Sequence, residues 1–242
     1  MKPAAAAFAA GLIVLGASGC ETTQEQSAKI ARTLGRQSAI AGTTRLGAAN
    51  HDVRIEQEVL LTAGGQSAVA LKLTNTSART QADFPVLIEV LDAKGRAVYR
   101  NNTSGIEPSI QQFALLGPHA TAWWVDNEVL ASGGVPKTAA GRLGAATAQP
   151  PSTVPSLTTR GVSASNSFPG PHVSVTVRNR STIAQRQVPV YAVALKGGQV
   201  VGAGRGIIPS LAPGAGASVQ VPMVGSVSGS TIALTVSPTA SG

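Results

Sequence analysis

The chain has one cysteine, Cys20, among its 242 residues. No disulfide can form within it, and neither a thiolate pair nor a Cys-rich metal site is available. Aromatic residues are almost as scarce, with two Trp, two Tyr and four Phe. A core must therefore be built from Val, Leu, Ile and Ala, and the interleaved aromatic and basic residues that hold single-stranded nucleic acid are missing. Acidic residues stop at Glu128, and positions 129–242 contain no Asp or Glu. That stretch cannot supply a carboxylate base, a calcium cage or a triad acid, which removes most hydrolase mechanisms from it. Beyond residue 20 no apolar run approaches the roughly 20 residues that a membrane-spanning helix needs. The three histidines, His51, His119 and His172, stand singly beside turn residues, so no metal site and no cofactor is expected.

What is present begins with an exported leader. Lys2 precedes an uncharged stretch from Pro3 to Gly19 whose centre carries Phe8, Leu12, Ile13, Val14 and Leu15, and Ala17, Ser18 and Gly19 supply small residues before a cut. Cys20 follows directly. This arrangement resembles the lipobox of bacterial lipoproteins, and the resemblance implies lipid attachment at Cys20, cleavage just before it and tethering to a bacterial membrane facing out of the cytoplasm. Two or three acyl chains would hold firmly, because each buried methylene contributes about 0.8 kcal/mol. Residues 1–19 are thus read as the signal peptide and 20–44, polar and Ala-rich, as a flexible tether.

The remainder divides at a second connector, Gln149-Pro150-Pro151-Ser152-Thr153-Val154-Pro155-Ser156, whose Pro and Ser content suits a stiff linker over 148–156. The parts on either side, 45–147 and 157–242, read as copies. Val69, Leu71, Leu73, Asn75 and Ser77 fall on Val173, Val175, Val177, Asn179 and Ser181 at a constant offset, and Pro85-Val86 falls on Pro189-Val190. A repeat this long is a domain duplication, since solenoid units are 20 to 50 residues. Within each copy apolar residues alternate with polar ones, which is the period of a half-buried strand. Val86, Ile88 and Val90 run into the hairpin turn Asp92-Ala93-Lys94-Gly95. About seven such strands per copy predict an all-β chain of two tandem immunoglobulin-like β-sandwich domains. The segment around Ile88-Glu89-Val90-Leu91-Asp92, with the Asn-x-Ser turn before it and Gly117-Pro118 after, is similar to the FxLYD family of bacterial envelope domains. That resemblance implies an immunoglobulin-like fold on extracytoplasmic lipoproteins and carries no catalytic residues with it.

Charge is unevenly placed. Positions 45–147 are neutral by count, whereas 157–242 carry Arg160, Arg178, Arg180, Arg186, Lys196 and Arg205 without an acid. With Val173, Val175 and Val177 pointing inward, Arg178 faces solvent and Arg180 and Arg186 follow it, a candidate site for an anionic envelope polymer, a lipid headgroup or an envelope protein. The same charge would also serve as a plain solvated surface. Trp123 and Trp124 are adjacent, so on a strand one points inward and the other outward; the outward one could anchor a partner or be covered by the rest of the chain. Glu56 with Glu58 and Asp126 with Glu128 are spaced to share strand faces, either as acid/base pairs or as solvated residues. Asn75-Thr76-Ser77 and Asn101-Asn102-Thr103 fit the glycosylation acceptor pattern and equally mark turns. The expected function is a membrane-anchored envelope lipoprotein acting as a non-catalytic binding or scaffold module, with no nucleic-acid partner. The alternative is an accessory subunit or hydrolase using first-domain carboxylates.

Overall fold

The computed structural model describes residues 44–103 and 106–239; Cys20, the signal peptide and the tether up to residue 43 lie outside the described residues. The chain is all-β, and its strands form antiparallel sandwiches. The first half carries β1 (Val53–Ala63), β2 (Gln66–Asn75), β3 (Gln81–Leu91), β4 (Ala97–Arg100), β5 (Gln112–Leu116), β6 (Thr121–Asp126) and β7 (Thr138–Leu143). The second half carries β8 (Leu157–Ser165), β9 (His172–Asn179), β10 (Gln185–Lys196), β11 (Gln199–Leu211), β12 (Gly216–Gly225) and β13 (Thr231–Val236). A short 3-10 turn, Pro108–Ile110, lies between β4 and β5.

Both halves follow one plan. In the first, β1-β2-β6 form one sheet, and β3 lies centrally in the other with β7 on one edge and β4 and β5 on the opposite edge. In the second, β8-β9-β12 correspond to β1-β2-β6, and β13-β10-β11 to β7-β3-β4/β5. They differ at the seam between the sheets. In the second half β11 pairs with β12 through Gly202–Gly204 against Gly225–Met223, which joins the strands into one folded six-stranded sheet. Glycine is required there because a Cβ at Gly204 would lie 2.0 Å from the Pro222 carbonyl oxygen and one at Gly202 would lie 2.6 Å from that of Ser226.

The turn that ends β2 is rebuilt after β9 with one carbonyl contact fewer. Asn75, fully buried, donates from Nδ2 to the carbonyls of Arg79 (2.7 Å), Leu116 (3.2 Å) and Gly117 (2.8 Å), and its Oδ1 accepts the Ser77 N–H (3.0 Å) and hydroxyl (2.9 Å). Asn179 donates to Ile183 (2.8 Å) and Leu211 (3.1 Å), and its Oδ1 accepts the Ser181 N–H (2.9 Å) and hydroxyl (2.7 Å). The third residue of the following strand is left-handed in both halves, Asp83 at φ 47° and Gln187 at φ 50°. Asn101 is also fully buried and donates to Val86 and Ile110. Asn75 and Asn101 are therefore internal braces of the backbone, unreachable as glycosylation acceptors.

Val69, Leu71, Leu73, Trp124, Val86, Ile88 and Val90 fill the first sandwich, and Val173, Val175, Val177, Val190, Ala192 and Val221 fill the second. The alternation along β10 sends Val190 and Ala192 into the second core, while Tyr191 and Val193 join the first. The unbroken apolar run from Val188 to Leu195 reflects a strand covered on both faces. Phe84 stacks on Phe113 (ring centroids 5.5 Å) and Phe113 on Tyr191 (6.0 Å), so the second half supplies part of the first half's core.

Replacing Asn179 by Ala strands one buried and one part-buried carbonyl and the Ser181 N–H, and should lower unfolding stability by about 2 kcal/mol. Arg180→Ala, one residue away and exposed, should stay within about 0.5 kcal/mol. Denaturant unfolding of the two variants reads the difference directly, and equal effects would contradict the bracing role.

Candidate functional site

Neither tryptophan is a surface anchor. Trp124 lies opposite Leu71 on β2, faces the first core and is fully buried; Trp123 lies opposite Lys72 on the other face and is 7% exposed. β6 packs against β10, β11 and β13, and the Trp123 N–H donates to the Thr235 hydroxyl at 2.9 Å. The outward tryptophan is covered by the second half, which removes Trp123 and Trp124 as binding residues for an external partner.

The carboxylate pairs are likewise separated. A bulge between Ile55 and Gln57 breaks the alternation along β1, so Glu56 turns outward to Arg54 (2.7 Å) while Glu58 accepts the Gly141 N–H (2.6 Å). Burial pushes the Glu58 carboxyl above its ordinary value, against that hydrogen bond. Asp126 points into the first sandwich, where its carboxylate accepts the Tyr99 hydroxyl (2.7 Å) and the Glu128 N–H (2.9 Å). Burial pushes Asp126 up to about 6, the two hydrogen bonds and Arg205 opposing it, and drives the Tyr99 hydroxyl far above its normal range. Glu128 turns to Arg205 instead.

Arg205 itself is the main surprise, because its side chain is buried within the contact between the halves. It meets Glu107 at 2.7 Å and Glu128 at 3.2 Å and donates to the Ser109 hydroxyl. Burial pushes Glu107 up, but the hydrogen bond and charge of Arg205 outweigh it and hold the carboxyl below its ordinary value. This arginine locks the β4–β5 connection and the end of β6 onto β11, so it does not contribute to the basic surface. A shallow depression on the outer face of β3, lined by Leu87, Glu89, Arg100, Asn102 and Arg142, gathers none of the expected site residues, and its carboxylate is occupied by the Glu89–Arg100 ion pair.

The remaining basic residues are on the surface. Arg178, Arg180 and Arg186 are all exposed, at the end of the second sandwich where β9 passes into β10, and none has a carboxylate partner among the described residues. Strand pairing adds one that spacing does not reveal. β8 places Arg160 opposite Thr176, so Arg160 and Arg178 are diagonal neighbours on one outer face. The signal was obscured in the sequence by the register shift between Arg160 and Ser163, which interrupts the period of two in β8. Among the described residues no group of three or more His, Cys, Asp and Glu side chains could hold a metal ion.

An acid whose folded pKa, about 6, exceeds its reference value of 3.8 binds its extra proton between those two values when folded. The Asp126 contribution to stability therefore rises as pH falls through this window, by a total on the order of 3 kcal/mol. Asp126→Asn removes the ionisation and can still accept the Glu128 N–H. The variant should be at least as stable as the parent at neutral pH, and its advantage should shrink as thermal melts are taken down to about pH 4. A difference that stays constant with pH would show that Asp126 does not titrate there.

Compared with known proteins, the chain matches no family description and no curated sequence.

Proposed function

We propose that the chain is an exported bacterial lipoprotein, held to a membrane through acylated Cys20, whose body is a duplicated pair of immunoglobulin-like, FxLYD-type sandwiches serving as a non-catalytic binding or scaffold module for anionic partners in the envelope. The observation that carries the binding part is the separation of charge. The second half has no Asp or Glu, its one buried cation is neutralised by Glu107 and Glu128 of the first half, and Arg160, Arg178, Arg180, Arg186 and Lys196 are left exposed. A field of one sign attracts ligands of the other and raises their encounter rate. The anchoring part is supported by Gly16-Ala17-Ser18-Gly19-Cys20 following an apolar leader.

Substituting Cys20 by Ser removes the only thiol to which a diacylglycerol can be joined. The protein should then leave the detergent phase for the aqueous or secreted fraction in phase partitioning, with its fold intact by circular dichroism. Undiminished membrane retention of the variant would reject the lipoprotein reading.

A further inference from the structure

The two halves use the same sheet face in opposite ways. In the first half the outer face of β2-β6 pairs Ala70 with Val125 and Lys72 with Trp123; Ala70, Val125 and Trp123 are buried, and the second half packs there. The equivalent pairs in the second half are Ser174 with Gln220 and Thr176 with Ser218. Ser218 and Gln220 are exposed, Ser174 and Thr176 are half-buried, and the Thr176 and Ser218 hydroxyls lie 2.9 Å apart. At the next pair the first half has Thr74 opposite Thr121 and the second has Arg178 opposite Gly216. β8 extends the open face with Arg160. The apolar members of the docking face, Ala70, Trp123 and Val125, have thus been replaced by Ser174, Ser218 and Gln220, the flanking Lys72 and Thr74 by Thr176 and Arg178, and there is no acid from residue 129 onward.

Resting on the proposed envelope location, we infer that this outer face of β8-β9-β12 binds an extended anionic polysaccharide, with Arg160 and Arg178 pairing its carboxylates and Thr176, Ser218 and Gln220 hydrogen-bonding its hydroxyls. The loss of the Trp123 and Val125 equivalents excludes another sandwich docking as the second half docks on the first, because apolar area drives that contact. A bilayer surface fits less well, since the large apolar side chains exposed on this hairpin, Val162 in β8 and Phe168 in the β8–β9 turn, lie at or beyond the bulge and away from Arg178, and the paired positions of β9 and β12 on this face carry none to insert beside the cations. A glycan fits both features. Neighbouring strands are about 4.8 Å apart, a spacing comparable with one sugar ring, so a polymer crossing the strands meets polar groups on each. Arg160 and Arg178 are diagonal neighbours, with backbones roughly 7–8 Å apart, so two successive carboxylates can each be paired.

The test uses the full chain with Cys20→Ser, titrated with polygalacturonate, neutral dextran, poly-glutamate and phosphatidylglycerol vesicles. Polygalacturonate should bind and release with added salt, and dextran should bind far more weakly. Arg160→Ser with Arg178→Ser should weaken polygalacturonate by at least about tenfold, whereas Lys196→Ser at the opposite end of the sandwich should change it little. Thr176→Val with Ser218→Val should weaken polygalacturonate but leave any poly-glutamate binding unchanged. The inference fails if polygalacturonate does not bind at low salt. It also fails if the hydroxyl variant binds like the parent, if Arg180→Ser with Arg186→Ser costs as much as the Arg160 and Arg178 pair, or if vesicles bind as tightly with the same arginine dependence. Polymer binding by a chain whose Cys20→Ser form still resists extraction from membranes would retain this site and reject the anchoring reading, so the two failures are separable.

Discussion

The contact of β10 and β11 with the first sandwich determines what the rest of the molecule can be. Tyr191, Val193 and Ala203 leave the second half's outer sheet face to join the first core, and Tyr191 stacks on Phe113. With so few aromatic residues in the chain, three of them, Phe84, Phe113 and Tyr191, form one stack, and its Phe113–Tyr191 step crosses this boundary. Among the described residues the first half has no hydrogen-bonded ladder between β5 and β6 of the kind that joins β11 to β12, and it is there, beside β5 and β6, that Tyr191, Thr235 and Ser237 sit. The chain accordingly has two similar plans closed by different means, glycines at one seam and a neighbouring sandwich at the other.

Polar groups fix the geometry that apolar area alone would leave loose. Burial of Val and Ala supplies driving force without direction. Asn75, Asn101 and Asn179 supply direction, since each ties carbonyls of segments distant in sequence and leaves few orphaned groups behind. Arg205 acts similarly between the halves. Its desolvation is offset by two glutamates that remain part-exposed, so it orients the contact and adds little to stability overall.

The all-β body, the two alternating Val/Leu stretches and the Asn-x-Ser turns were legible because each rests on a local period or a local hydrogen-bond pattern. Val69, Leu71 and Leu73 need only two-residue alternation to be assigned inward. The tertiary consequences were not legible. Nothing beside Trp123 in the sequence says that its outer face is covered by strands more than sixty residues away. The pairing of Glu56 with Glu58 failed at a one-residue bulge, since one inserted residue reverses the face of everything after it. Arg205 looked like one more surface cation because its partners, Glu107 and Glu128, come from the other half. Arg160 was missed for a related reason, in that only the β8–β9 register carries it to Arg178.

The polarity of the second half's open face has a simple partial cause. A sheet face that packs on nothing must be polar or it would recruit a partner, so the replacement of Trp123 and Val125 by Ser218 and Gln220 follows from exposure alone. Exposure does not require charge of one sign. Solubility is served best by mixed charges, and the first half has them in equal number, with Arg54–Glu56, Arg79–Asp52, Arg96–Asp92 and Arg100–Glu89 paired on its surface. A second half selected only for a soluble surface would be expected to carry acids as the first half does. It carries none, and it leaves Arg160 and Arg178 side by side without a counter-charge among the described residues. The missing carboxylates therefore point to a ligand that brings its own.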